Sequence, residues 1–328
     1  MQSIDLVNEC IKNNSHEHNF FCTERILSCV ASNQNVGYEY IFYKSWNFSF
    51  FDNKNETIGN RIMVDYGELY DYFYQFYGIE RIVHQNSQDE LFWNLCIDEL
   101  VHNRVFAINI NYIWDCPLPF LKRNRGILLV TGYDINNGLI AYDTQMNGEK
   151  RFIRKDQLLD SCIESSIFHK NRDVNFNFKD FESLFRKHLT SIKDKMFYSI
   201  AELYRMAEEF YNNFDLNLET GIFLNRYYSS FVYNLFYIMR SRMVFAKFLN
   251  VFMKQIHREP NTLEKHFYEI SSKWNYIHLL IQKAQFKKAI DKERVYTLML
   301  DAINREKELC YYFKTINWME DCCCELIQ

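Results

Sequence analysis

Proline is nearly absent, with three residues in 328, and glycine is unevenly placed, with eight of nine before residue 150. Turn residues mark chain reversals, so the first half is expected to reverse often and the second hardly at all. Two differently built parts follow, in keeping with a length beyond one typical core. Long apolar runs are also missing. The nearest, 227–239, is short and broken by Ser, Asn and Tyr, so no membrane span is expected. Residues 1–10 include Asp5 and Glu9 and no apolar stretch, which argues against a secretory signal and for a cytoplasmic chain. No basic excess stands out. Residues 1–170 carry 15 basic and 22 acidic side chains, the remainder 23 and 20, so the patch a nucleic acid would need is lacking. The ten cysteines contain no Cys-x-x-Cys pair, and Cys322, Cys323 and Cys324 are contiguous, a spacing ill suited to a tetrahedral metal site. Reduced thiols are expected, with no metal and no resident cofactor.

Aromatic residues are abundant, at 29 Phe and 23 Tyr. Helices are predicted over 23–32, 65–76 and 88–101, and strands over 46–50, 79–83, 104–111, 127–133 and 139–142, with another at 151–154. Asn137-Gly138 suits a hairpin turn, and Asn147-Gly148 a second. This is an α+β domain, helices followed by an antiparallel sheet, over 1–170. Beyond it the period changes to 3.6, and an all-α domain is predicted over 175–328. Its helices are read at 180–192, 195–213, 222–257 (with a break near Ser241), 262–290 and 293–319. Asn261 and Glu264 have the spacing of a capping box, and Asp291 suits the cap of the last helix. The very aromatic 40–51 stretch suits either an apolar ligand or a packed core, and packing is the expectation. Long amphipathic helices rich in Tyr and Phe are compatible with a homodimer.

Two positions could carry chemistry. Cys22 opens the first helix, where the helix dipole stabilises an anion and a thiol can become nucleophilic. Buried packing is the commoner role of a free cysteine. Asp143 ends the strand Leu139-Ile-Ala-Tyr-Asp143, from which a carboxylate could orient a base or simply make a turn. No histidine has an evident partner; His18 precedes Cys22 in the chain, and His102 follows the 88–101 helix.

The order of these parts is distinctive: Cys22 on the first helix, the aromatic Trp46–Phe50 stretch, the 89–111 helix–strand pair, Leu128-Leu-Val-Thr-Gly-Tyr-Asp134, and Ile140-Ala-Tyr-Asp143. It resembles the N-terminal domain of the butirosin biosynthesis protein H-like family, a papain-like fold akin to the peptidases that trim bacteriocin leaders. Arg240-Ser-Arg-Met-Val-Phe-Ala-Lys-Phe-Leu249 and Trp274 resemble the helical C-terminal extension of such proteins. The resemblance implies a cysteine that takes an acyl group from a carrier protein's phosphopantetheine thioester and passes it to an amine. Phosphopantetheine would enter only as the arm of that carrier substrate. Cys22 would then be the nucleophile and Asp143 the residue that orients the base. The partners would be an acyl or peptidyl carrier protein, or other enzymes of the same natural-product pathway.

One position departs from the family. Where its pattern keeps the histidine base, six residues before the Gly of Gly-Tyr-Asp, this chain has Gly126. General-base help is worth roughly 10²–10⁴ in rate, and members of a catalytic triad act as a unit. Three readings remain: an acyl or peptidyl transferase using Cys22 with His18 or His102 as substitute base; a catalytically degenerate relative that binds a carrier protein or peptide intermediate as a scaffold; and a structural or dimerising protein. Cys22 and Asp143 favour the first, and Gly126 the second.

Overall fold

The computed structural model describes residues 22–85, 90–111, 126–134, 138–143, 150–171, 174, 176–221, 229–256 and 261–315. Asn137, the Asn147-Gly148 turn, His18 and Cys322–Cys324 lie outside them. The described residues form a mixed α+β structure with nine α-helices, a six-stranded antiparallel sheet and a two-stranded one. None of these helices is long and apolar enough to cross a membrane. The chain divides into two compact units: residues 1–38 with 70–176, and residues 39–69 with 177–328.

The first unit is built on the larger sheet. Helix α1 (Cys22–Asn33) buries Ile26, Leu27 and Val30, the apolar positions that predicted it. Asn33 ends it and straps it in place: its side-chain amide donates to the Asn103 carbonyl at 3.0 Å and its oxygen accepts from the Val105 amide at 3.4 Å. In the second unit, strands β1 (Asn47–Phe50) and β2 (Ile62–Asp65) pair antiparallel. Back in the first, α2 (Leu69–Tyr77) stops at Gly78, whose φ of +67° is the left-handed conformation that closes many helices. Then follow β3 (Ile79–Gln85), α3 (Glu90–Val101), β4 (Phe106–Ile110), β5 (Gly126–Asp134), β6 (Gly138–Asp143), β7 (Lys150–Arg154), α4 (Lys155–Ser161) and β8 (Cys162–Lys170).

The strand order is β3-β8-β4-β5-β6-β7, so the last strand inserts between β3 and β4. Beneath α3 lies one core, in which Phe92, Trp93, Cys96 and Leu100 of the helix meet Ile108, Leu128, Val130 and Ile167 of the sheet. A bulge between Val130 and Gly132 shifts the β5–β6 register, which leaves both Val130 and Tyr133 in that core. At Gly138, φ is +145° and an added Cβ would stand 2.0 Å from the Ile153 carbonyl oxygen, so only glycine fits.

The second unit corrects the expected boundary at residue 170, because the 39–69 segment clusters with the helices. Its aromatic residues are the reason. Tyr40, Phe42, Tyr43, Trp46, Phe48 and Phe50 are all buried. They pack on α5 (Phe178–Asn213), α7 (Ser230–Gln255) and α8 (Asn261–Lys287), which α6 (Leu216–Gly221) and α9 (Lys292–Thr315) accompany. Tyr40 meets Phe181 with ring centres 4.6 Å apart, and Trp46 meets Phe267 at 4.2 Å and Phe245 at 5.4 Å. The backbone of β1 is fixed as well: the Phe48 amide donates to Ser199 Oγ and the Phe50 amide to Glu202 Oε2, both at 3.0 Å. Packing therefore accounts for the aromatic stretch, as expected.

Two predicted helix breaks are absent. Helix α5 runs unbroken through residues 193–194, where no Gly or Pro interrupts it, and α7 runs through Ser241, whose hydroxyl donates to the Ile238 carbonyl at 2.7 Å. Asp291 caps α9, accepting from the Arg294 amide at 3.0 Å. The Glu264 carboxylate accepts from the Asn250 side-chain amide of α7.

Candidate functional site

Cys22 is the first residue of α1 and is partly exposed. Next to it, Thr23 hydrogen-bonds the Tyr70 phenol. Burial raises the Tyr70 pKa above its ordinary value, against the opposing pull of Arg81 and of Thr23. The Arg81 guanidinium lies 4.3 Å from the Tyr70 ring centre and donates to Ser166 Oγ at 2.9 Å and Glu164 Oε1 at 3.0 Å. Tyr70 also stacks on Phe168, with ring centres 6.4 Å apart. The thiol end of α1 thus belongs with a phenol, a guanidinium and a carboxylate. Sequence reasoning missed Tyr70 and Arg81, which neither spacing nor motif marks.

Strand register locates the remaining candidates. Gly126 pairs with Ile110, and Asp143 with Leu128. Residues two apart in a strand, or directly opposite across a ladder, share a face. Gly126, Leu128 and Asp143 therefore lie on the face beneath α3, where Ile110 and Leu128 join the core. Arg81 pairs with Phe168 and Asn109 with Glu164, one residue out of step with the α3-facing Ile167 and Ile108, so they occupy the opposite face. The expected pair is divided: Cys22 belongs with residues of one face and the buried Asp143 with the other.

The described histidines of this unit do not close the gap. His102 follows α3, with its Nδ1 2.8 Å from the Asp98 carbonyl oxygen, beside the Asn103 that holds Asn33. Asn33 is the far end of α1 from Cys22, and twelve helical residues span roughly 16 Å. The substitute role considered for His102 is thus not supported by its place. His169 sits 3.2 Å from Glu99 Oε1, on the α3 side, and His84 pairs with Ser165 on that same face. Burial alone would raise the Glu99 pKa, but the bidentate Arg104 and His169 hold it below the usual range. His18 lies outside the described residues.

The arrangement offers a partly exposed thiol next to the Thr23–Tyr70 hydrogen bond, with the described histidines of the unit placed elsewhere. Among the described residues no group of three or more His, Cys, Asp and Glu could hold a metal ion. Compared with known proteins, the chain matches no family model, and no curated protein matches it.

Proposed function

We propose that this chain is a binding protein of natural-product biosynthesis: a catalytically degenerate, papain-like relative of the butirosin biosynthesis protein H-like family. It holds a carrier protein or peptide intermediate and presents it to a partner enzyme in the cytoplasm. One observation carries the reading. The described histidines of the unit lie at the far end of α1 or on the α3 face, away from Cys22, and Gly126 matches by resemblance the position of the family's base. The six-stranded antiparallel sheet and the cysteine-bearing helix are in keeping with a papain-like domain. The phosphopantetheine arm of the carrier is the only prosthetic group the reading requires, and it arrives with the partner.

A second reading is favoured by one observation as well. Cys22 is partly exposed, so slow attack of its thiol on an activated thioester is sterically open to it. Binding measurements separate the two. On an acyl-phosphopantetheine carrier immobilised on a sensor surface, Cys22→Ala should bind as tightly as the natural chain. A complex that depends on the thiol, or no complex at all, would contradict the scaffold reading.

A further inference from the structure

The helical unit contains a cavity of about 220 Å³ between the aromatic stretch and α5. Lys44, Asn47, His188, Ser191 and Lys195 line it, together with Trp46. Its described lining holds two lysines and an imidazole and no carboxylate. His188, Ser191 and Lys195 recur at spacings of three and four on α5, which puts them on one side of the helix. Lys195 is exposed and enters no ion pair among the described residues. Lys44 stands 5.0 Å from the Tyr43 ring centre, its charge at the aromatic edge of the cavity.

We propose that this cavity binds a small organic phosphate, a monoester carried on a compact body. A phosphate dianion calls for more than one cation, and lysines serve it as mobile point charges. The volume falls below the roughly 300–1,000 Å³ typical of sites for drug-sized ligands, which limits the body to a short one. Asn47 and Ser191 add hydrogen-bonding side chains to the lining. The proposal uses only residues of the helical unit and stands apart from the reading of Cys22.

Phenyl phosphate is a suitable probe, titrated into the full chain by calorimetry with phenol and benzoate as comparisons. Saturable one-to-one binding of phenyl phosphate is expected, with benzoate weaker and phenol silent. Lys44→Gln combined with Lys195→Gln should weaken binding roughly tenfold or more while leaving the unfolding temperature unchanged. Any of three results would overturn the proposal: no saturable phenyl phosphate binding, affinity unchanged in the double lysine variant, or benzoate bound as tightly as phenyl phosphate.

Discussion

Glu306→Gln is expected to destabilise the helical unit by about 3–5 kcal/mol, the loss typical of breaking a buried ion pair from one side. Glu306 and Arg242 are both fully buried. Arg242 donates in bidentate fashion, Nε to Oε1 at 3.1 Å and Nη2 to Oε2 at 2.9 Å. Its remaining Nη1 donates to Ser241 Oγ at 2.8 Å, and the Trp274 indole donates to Glu306 Oε1 at 2.5 Å. The cluster ties α7, α8 and α9 together, and the guanidinium also lies 5.6 Å from the Trp46 ring centre. Neutralising Glu306 leaves a guanidinium with no counter-charge in a dry interior. Replacing both partners with apolar residues of similar volume, Arg242→Met with Glu306→Leu, should recover most of the loss, because no charge then remains buried. Urea unfolding followed by tryptophan fluorescence reads this out, since Trp46 and Trp274 lie in the unit concerned. A double variant no more stable than Glu306→Gln would show that packing, not charge, dominates the site.

Between about pH 4.5 and pH 7 the helical unit should lose about 3 kcal/mol of stability through Glu219. Burial raises this carboxyl from 4.5 to about 7, against hydrogen bonds from the Gly59 and Ile58 amides and from Thr57 that favour the charged form. Glu219 is 2% exposed, and its oxygens stand 3.0 and 3.3 Å from the Gly59 amide nitrogen. The unfolded chain releases this proton near 4.5 and the folded chain only near 7, so the folded state binds more protons in between. Stability is highest below the lower value, falls through the interval and levels off above the upper one. Glu219→Gln should flatten that part of the profile, as measured by unfolding midpoints across the range. A slope the same in both proteins would place the titrating group elsewhere. The cradle leaves no room for a larger residue at 59, where a Cβ would meet the Phe231 amide nitrogen at 2.2 Å.

Glu219 and Glu306 show where the sequence could and could not be read. Period, apolar runs and turn signals located α1, α3 and the strands from β3 to β7: α3 buries one face, whereas β5 and β6 are buried along nearly their whole length and read as continuous apolar runs. Strand β8 escaped notice because its buried run pairs Ile167 and Phe168 with Ser165 and Ser166, too short an apolar stretch to mark a strand. The aromatic stretch was legible as core, but not as the core of the helical unit, since sequence proximity says nothing of which partners a buried ring meets. Arg242 and Trp274 were singled out by resemblance alone. Glu306, which joins them, looks in the sequence like any charge on a solvated helix face.

At the candidate site, Cys22, Gly126 and Asp143 were all named from sequence. Their division between the two faces of the sheet was not foreseeable, because one residue of register decides which way a side chain points. Tyr70 and Arg81 come from separate elements and meet Thr23 only in the folded unit.

The proposed reading takes Cys22 as a thiol with no catalytic base among the described residues. It is tested most directly by the intact mass of the chain after incubation with an acyl-phosphopantetheine carrier protein. The account predicts an unmodified chain in a complex that persists in Cys22→Ala. A mass increase equal to the acyl group, present on the natural chain and absent from Cys22→Ala, would contradict it.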